Sequence, residues 1–201
     1  MKERIIGVVG QIGSGKDTAI SFLEKKGFAN FSLSDQIRIE LRKRGNLDFT
    51  RKDIQNLGDE LRVENGDDYW ARRAWEEAIT SGQEKLIISS IRHPAEAGFL
   101  KNQTNFYLLA VIADQRLRFE RKVELVRRKP DSTRSDDQDI LTWEEFKKAD
   151  DREVKVQKEH SQQVSNVVAL ADFVIENNST IEELEEKVYQ ILDKIEGGKN
   201  A

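Results

Sequence analysis

The stretch Gly10-Gln-Ile-Gly-Ser-Gly-Lys-Asp17 decides the fold of this 201-residue chain. Its glycines and Lys16 have the spacing G-x-x-x-x-G-K of a phosphate-binding loop, the P-loop. The apolar run at residues 4–9 predicts a buried strand before the loop, and a helical repeat of apolar residues follows it. In such a loop backbone N–H groups face phosphate oxygens, and the lysine reaches the β and γ phosphates. The pattern predicts an ATP phosphate site formed by Gly10, Gly13, Ser14, Gly15, Lys16, Asp17 and Thr18.

One position of the loop departs from the pattern. Asp17 stands where a Ser or Thr normally gives its hydroxyl to Mg²⁺, and Thr18 follows it. A carboxylate can hold Mg²⁺ directly or through water. An acidic residue in the first turn also interacts favourably with the helix dipole. Asp17 and Thr18 are therefore both candidate ligands of Mg²⁺, and a purely helix-stabilising role of Asp17 remains the alternative.

Strand and helix patterns alternate along the rest of the chain. Short apolar runs predict further strands at residues 28–33, 85–90, 105–112 and 172–176. Helical spacing of apolar residues lies between them, including two helices within residues 50–80. Such alternation predicts an α/β fold with a parallel sheet of about five strands and helices on both faces. Thr142 with Glu145 and Thr180 with Glu183 predict capping boxes at two helix starts.

Composition limits the possible functions. With 33 basic and 37 acidic residues, the net charge of -4 disfavours a protein that grips nucleic acid over its whole surface. The chain has no cysteine and two histidines, which excludes thiolate metal sites and disfavours a histidine-based one. The first apolar run is too short for a signal peptide or a membrane span. We expect a cytoplasmic monomer or homodimer with no nucleic acid or membrane partner.

Two classes of P-loop protein lose support from missing motifs. Neither Asn-Lys-x-Asp nor Asp-x-x-Gly occurs in the chain, which disfavours a G-protein. A motor-type ATPase needs a strand that ends in an acidic residue. The strand predicted at residues 85–90 ends in two serines instead.

Three segments carry a family resemblance. Gly15-Lys-Asp-Thr18 is similar to the loop ending of phage-type deoxynucleoside monophosphate kinases. Leu33-Ser-Asp-Gln-Ile-Arg38 is similar to the segment in which adenylate kinases grip the acceptor monophosphate. Ser90-Ile-Arg-His-Pro-Ala-Glu96 is similar to the segment that places an arginine at the acceptor. Together they resemble the nucleoside monophosphate kinase group, which includes adenylate kinase, dephospho-CoA kinase and the deoxynucleoside monophosphate kinases.

The resemblance implies a single three-layer kinase domain over residues 1–201. It implies acceptor-binding helices at about 34–80 and a small lid at about 116–140. Its catalytic residues would be Lys16, Arg92, Arg121 and Arg128, its acceptor-binding residues Asp35, Arg38 and Arg92, and its further lid arginines Arg118, Arg127 and Arg134. Asn177, after the last strand, would border the adenine. The implied activity is Mg²⁺- and ATP-dependent phosphoryl transfer to a small phosphorylated acceptor, with a (deoxy)nucleoside monophosphate favoured.

Two alternatives remain open. A dephospho-CoA kinase-like enzyme would phosphorylate a hydroxyl group, for which Asp35 could accept the proton. A nucleotide-sensing protein would keep the P-loop without catalysing transfer. Ser89 supports the sensor, since relatives commonly have there an aspartate that helps to order Mg²⁺.

Overall fold

The computed structural model describes residues 4–128, 142–154, 160 and 162–197. Strands and helices alternate along them. In chain order the elements are β1 (Arg4–Val9), α1 (Lys16–Lys25), β2 (Ala29–Ser32), α2 (Leu33–Lys43), α3 (Arg51–Asn65), α4 (Tyr69–Thr80), β3 (Lys85–Ser89), α5 (Pro94–Lys101), β4 (Phe106–Ile112), α6 (Gln115–Arg128), α7 (Trp143–Val154), α8 (Val164–Val168), β5 (Phe173–Glu176) and α9 (Ile181–Gly197). Within these ranges no helix is long and apolar enough to cross a membrane.

The five strands form one parallel sheet in the order β2-β3-β1-β4-β5. β1 is the central strand, and its Val8 is in register with Ser89 of β3 and Leu109 of β4. The predicted α/β fold with a five-stranded parallel sheet is confirmed. In open parallel sheets ligands bind beyond the carboxyl ends of the strands, where the order reverses. The loop that follows Val9 starts at such a point.

Each face of the sheet has its own hydrophobic core. Ile5 and Val9 of β1 belong to the core that also includes residues of α2, α3, α4 and α5. Ile6 and Val8 belong to the core that includes residues of α1 and α9. This alternation follows from the two-residue period of a strand, whose side chains point to opposite faces. Both faces are covered, which explains why β1 is apolar at nearly every position.

Trp70 ties together the helices on one side of the sheet. Its side chain is fully buried in α4, and its indole N–H donates a hydrogen bond of 3.1 Å to the carbonyl of Gly58 in α3. The neighbouring Tyr69 ring packs edge-on against it at 4.9 Å between centroids. Because a buried indole N–H needs an acceptor, this bond sets the position of α4 against α3.

Several element boundaries differ from the sequence predictions. α2 begins at Leu33, two residues before the predicted start, because Leu33 is 2% exposed and packs into the core. β2 accordingly ends at Ser32, which is in register with Ser89. Ser90, predicted within β3, has a φ of 63° and leaves the strand. These turns place the next side chains at the carboxyl edge of the sheet.

One predicted capping box is complete and the other half-formed. Thr142 and Glu145 exchange both bonds, at 2.9 and 3.2 Å. At α9, the Glu183 N–H donates to the Thr180 hydroxyl at 3.3 Å, while the Glu183 carboxylate pairs with Ser179 and Lys187. The irregular stretch predicted from Arg127 begins later, since α6 continues to Arg128. Residues 129–139 of that stretch lie outside the described residues, as do the second half of the predicted lid and Arg134.

Trp70→Ala should lower the free energy of unfolding by about 3–5 kcal/mol, because it removes a large buried ring together with its hydrogen bond to the Gly58 carbonyl. Urea unfolding followed by circular dichroism measures this. Leu47→Ala is the control, since Leu47 is 78% exposed, and it should change the value by less than about 0.5 kcal/mol. Equal losses in the two variants would contradict the assigned role of Trp70.

Candidate active site

The P-loop turns through two left-handed glycines. Gly13 has a φ of 73° and Gly15 a φ of 94°, which other residues rarely adopt. A Cβ on Gly13 would lie 2.4 Å from the Arg118 carbonyl oxygen, and one on Gly15 would lie 2.3 Å from the Asn177 amide nitrogen. Both positions therefore require glycine for conformation and for space. α1 starts directly afterwards at Lys16, so its N-terminal end faces the loop, as a phosphate site requires.

A buried ion pair holds the loop in place. The Arg118 guanidinium donates to the carbonyls of Ile12 and Ala113 at 3.0 and 3.1 Å. It also donates to both carboxylate oxygens of Asp150, at 2.6 and 2.8 Å. The Arg118 side chain is only 4% exposed. The prediction of Arg118 as a lid arginine is wrong, because its donors already serve the loop and α7.

Asn177 supports the loop from the other side. Its amide nitrogen donates to the Ser14 carbonyl at 2.8 Å, and its backbone N–H donates to Ile112 at 2.8 Å. The side chain is buried, yet it lines the cavity next to the loop. Asn177 thus positions the P-loop backbone directly, and its place on the wall is compatible with the predicted adenine contact.

A cavity of about 660 Å³ extends from the P-loop to helices α2 and α3. Of the described residues on its wall, eight are cationic and two are acidic. The cations are Lys16, Arg38, Arg51, Arg62, Arg92, Arg121, Lys122 and Arg128, and the acids are Asp17 and Glu124. The chain as a whole has a net charge of -4. Positive charge is therefore concentrated at this cavity, which suits a polyanionic ligand.

Two predicted acceptor residues reach the cavity. Arg38 extends from α2, and Arg92 extends from the segment that follows β3. The side-chain amide oxygen of Gln162 accepts a hydrogen bond of 3.2 Å from Arg92. Asp35, predicted to bind the acceptor, is not on the wall, and its half-exposed carboxylate accepts a bond of 2.9 Å from Arg38. Asp35 therefore orients Arg38 and does not face the acceptor space.

Glu96 fixes the segment that carries Arg92. One of its carboxylate oxygens accepts two bonds from Arg62, at 3.0 and 2.8 Å. The other accepts the backbone N–H groups of Arg92 and His93, at 2.8 and 3.0 Å. Glu96 is completely buried and Arg62 is 3% exposed. A buried carboxylate with four donors is strongly held, so α3 and the start of α5 form one support for Arg92.

Sequence reasoning missed several cavity residues on α3. Arg51, Gln55 and Arg62 line the wall, and their spacing of four and seven residues places them on one helical face. They form a polar stripe on an otherwise amphipathic helix, and such a stripe matches no phosphate-binding motif. The stripe itself was visible in the sequence and could have identified them.

The predicted lid arginines differ in their surroundings. Arg121 donates to the carbonyls of Asn177 and Ser179, at 2.8 and 3.1 Å, and burial lowers the pKa of its guanidinium. A cation that is bonded to neutral carbonyls keeps charge available for an anion. Arg128 also lines the cavity, but its side chain is 75% exposed and pairs with Glu124 at 2.5 Å. The side-chain surroundings favour Arg121 as the better placed of the two.

The loop region offers few groups for Mg²⁺. Asp17 and Thr18 both line the cavity, and Lys16 lies 3.5 Å from the Asp17 carboxylate. No cluster of three metal-binding side chains occurs in the part of the chain that the structure describes. Mg²⁺ usually takes one or two carboxylates with substrate phosphates and waters, so these two donors fit it. Ser89 points elsewhere, since its buried hydroxyl donates to the Asn30 side chain at 2.8 Å.

Gly10 and Ser14 support the turn of the P-loop without lining the cavity. A Cβ on Gly10 would come within 2.5 Å of both the Ser14 hydroxyl and the Val111 carbonyl. Ser14 is fully buried, and its hydroxyl lacks a hydrogen-bond partner among the described groups. Gly10 and Ser14 can contribute backbone N–H groups and shape, while Gly13, Gly15 and Lys16 are among the loop residues that line the cavity.

Curated relatives cover nearly the whole chain. The UPF0200 protein of Thermococcus kodakarensis is 32% identical over 196 residues, which are 95% of this chain and 97% of the relative. The chain belongs to the UPF0200 family. The UPF0200 protein of Hyperthermus butylicus is 30% identical over 193 residues, with 96% and 95% coverage. No family model matches the sequence.

Solved structures share the fold of this UPF0200 chain. TT1252 from Thermus thermophilus superimposes with a TM-score of 0.60 at 22% identity, covering 96% of this chain and 98% of its own. Shikimate kinase from Acinetobacter baumannii gives a TM-score of 0.55 at 16% identity, covering 99% and 96%. At these identities the likeness shows the fold alone, and the function must be argued from the site.

Asp150→Asn should lower the free energy of unfolding by about 3–5 kcal/mol, because it leaves the buried Arg118 guanidinium without its countercharge. Chemical denaturation measures the loss. Glu120→Gln is the matched control, because it removes the carboxylate of an exposed pair, Arg116–Glu120, on the helix that carries Arg118; the two side chains are 66% and 58% exposed. A change below about 1 kcal/mol is expected for this variant. Equal stability of Asp150→Asn and the wild type would refute the assigned role of the pair.

Proposed function

We propose that this protein transfers the γ-phosphoryl group of ATP to a small phosphorylated acceptor, with a (deoxy)nucleoside monophosphate as the favoured acceptor. One observation carries the proposal. A single cavity is lined at one end by Lys16 of the P-loop and at the other by Arg38, Arg51 and Arg92. ATP phosphates account for the first end. The second end has cations that an ATP site alone does not need.

The arginines of the second end suit an acceptor that carries its own phosphate. An arginine guanidinium binds phosphate oxygens in a bidentate manner. Arg92 is held by the Glu96 network, so its position is fixed before a ligand arrives. Little free energy is lost to rearrangement when a substrate binds to cations that are already in position. Such a site aligns the acceptor oxygen with the γ-phosphorus for in-line attack.

The chemistry needs little covalent participation by the protein. Phosphoryl transfer is catalysed chiefly by positioning and by charge neutralisation. Lys16 contacts the transferring group from the loop, while Arg92 and Arg121 neutralise charge from the acceptor and lid sides. When bound, Mg²⁺ would neutralise phosphate oxygens near Asp17 and Thr18. An acceptor that is already a phosphate needs no general base.

The hydroxyl acceptor of a dephospho-CoA kinase-like enzyme is less well supported. It would need a carboxylate that faces the acceptor space to take a proton. The acidic residues described on the cavity wall are Asp17 and Glu124, beside the P-loop and in α6. Asp35 is turned to Arg38 instead. The non-catalytic sensor explains Ser89 but leaves the acceptor-side arginines without a use.

The first test is ADP formation from ATP and Mg²⁺ with a panel of ribo- and deoxynucleoside monophosphates and dephospho-CoA. We expect acceptor-dependent ADP with at least one monophosphate, and Lys16→Ala should lower kcat by about 10²–10³-fold or more. Lys25→Ala, at the exposed end of the same helix, is the control and should behave as wild type. ATP binding without turnover for any acceptor would favour the sensor.

A second test separates acceptor binding from ATP binding. Arg92→Gln should raise the KM for the acceptor by about 10–100-fold and leave the KM for ATP within about threefold, because a charge-assisted hydrogen bond is worth about 1.5–3 kcal/mol. Steady-state kinetics with each substrate varied measures both constants. The exposed Arg116→Gln serves as control. A rise confined to the KM for ATP would contradict the assignment of Arg92 to acceptor binding.

A further inference from the structure

The acceptor end of the cavity combines apolar walls with the side-chain amide of Gln55. Leu33 and Ile37 of α2 and Ile54 of α3 are each at most 6% exposed, and all three line the cavity. Gln55 follows Ile54 and lines the same space. The arginines described above flank this region. Aliphatic walls beside an amide that has no partner among the described residues suit a flat, mostly apolar ring with a polar edge.

The Gln55 amide is open to the cavity, although the residue as a whole is almost fully buried. Gln55 is 7% exposed, and its side chain has no hydrogen bond to any group within the described ranges. Gln36, which lies on the neighbouring helix and is 6% exposed, bonds to the Glu77 carboxylate. Buried polar groups normally have partners, so an open amide on a cavity wall indicates a ligand or a bound water.

We propose that Gln55 recognises the base of the acceptor nucleotide by hydrogen bonds to the edge of the ring. This rests on the proposed function and names the residue that selects its substrate. A carboxamide presents an acceptor oxygen and a donor NH₂ side by side, which matches the adjacent donor and acceptor groups on a nucleobase edge. Enzymes that bind a single base combine such edge contacts with packing against apolar walls.

A base also explains the arrangement better than a sugar phosphate does. Sugar hydroxyls are satisfied by many scattered donors and acceptors, and they gain little from three aliphatic side chains. A ring placed between Ile37 and Ile54 removes apolar surface from water and brings its edge to Gln55. The acceptor phosphate then lies toward Arg38 and Arg92, where the γ-phosphoryl group arrives.

The test compares Gln55→Met with wild type. Methionine has the length of glutamine but forms no comparable hydrogen bond, so the cavity volume changes little. Gln36→Met is the matched control, because it removes an equally buried amide that does not line the cavity. Thermal unfolding of both variants verifies that they are folded. The acceptors are the nucleoside monophosphate panel and ribose 5-phosphate, which has the sugar and the phosphate but no base.

Binding of each acceptor is measured by calorimetry without ATP, and turnover is measured by ADP formation. We expect Gln55→Met to weaken binding of the preferred nucleoside monophosphate about 10–100-fold, a loss that corresponds to one or two hydrogen bonds. Its KM for ATP and the weak binding of ribose 5-phosphate should not change, and Gln36→Met should match wild type.

Three results would overturn the inference. They are equal monophosphate binding by Gln55→Met and wild type, ribose 5-phosphate as good an acceptor as any nucleotide, and no binding of any monophosphate by wild type. The first two leave phosphoryl transfer intact when ADP still forms. Conversely, Gln55-dependent binding of a monophosphate without ADP formation supports the inference and contradicts the proposed kinase activity.

Discussion

Arg118 connects the P-loop to the rest of the molecule through charge-assisted hydrogen bonds. It bonds to a carbonyl inside the loop, to a carbonyl after β4 and to both oxygens of Asp150 in α7. A buried guanidinium is costly unless all its donors are used and its charge is compensated. Arg118 makes four hydrogen bonds to described groups and Asp150 compensates its charge, so the loop, α6 and α7 keep one relative position. The phosphate site depends on this constraint, because glycine alone would leave the turn loose.

A second buried pair does the same for the acceptor side. Glu96 joins Arg62 of α3 to the backbone that carries Arg92. The two pairs lie at different strand ends of one sheet, since the loop follows β1 and Arg92 follows β3. Parallel strands bring their carboxyl ends to one edge, and the helices then close the cavity between them. Several cations can lie close together there because buried carboxylates compensate the charges of Arg62 and Arg118.

The fold followed from local patterns, but the supports of the site did not. Apolar runs and glycine spacing predict the parallel sheet and the P-loop, because strand period and turn conformation are local properties. The partnership of Arg118 with Asp150 joins residues 32 positions apart, and that of Arg62 with Glu96 joins residues 34 apart. Charged residues on amphipathic helices read as solvated in a sequence, so Arg118 was predicted for the lid and Arg62 was overlooked.

The role of Ser89 is a second feature that the sequence did not predict. The resemblance to nucleoside monophosphate kinases leads us to expect an aspartate at this position, and a serine there leaves open how Mg²⁺ is held. In the structure its hydroxyl bonds to Asn30 of β2, so the side chain serves the contact between two strands. Asp17 and Thr18 remain the candidate oxygen donors for the metal, beside the phosphates of the substrates. The sequence alone does not reveal this contact, because the orientation of the Ser89 side chain depends on how β2 pairs with β3.

The most direct measurement follows the γ-phosphorus itself. ATP labelled with ³²P in the γ position is incubated with Mg²⁺ and each nucleoside monophosphate, and the products are separated by thin-layer chromatography. The account predicts that label appears in the nucleoside diphosphate of one acceptor, with little label in inorganic phosphate. Label that appears only in inorganic phosphate, or that stays in ATP with every acceptor, would contradict phosphoryl transfer.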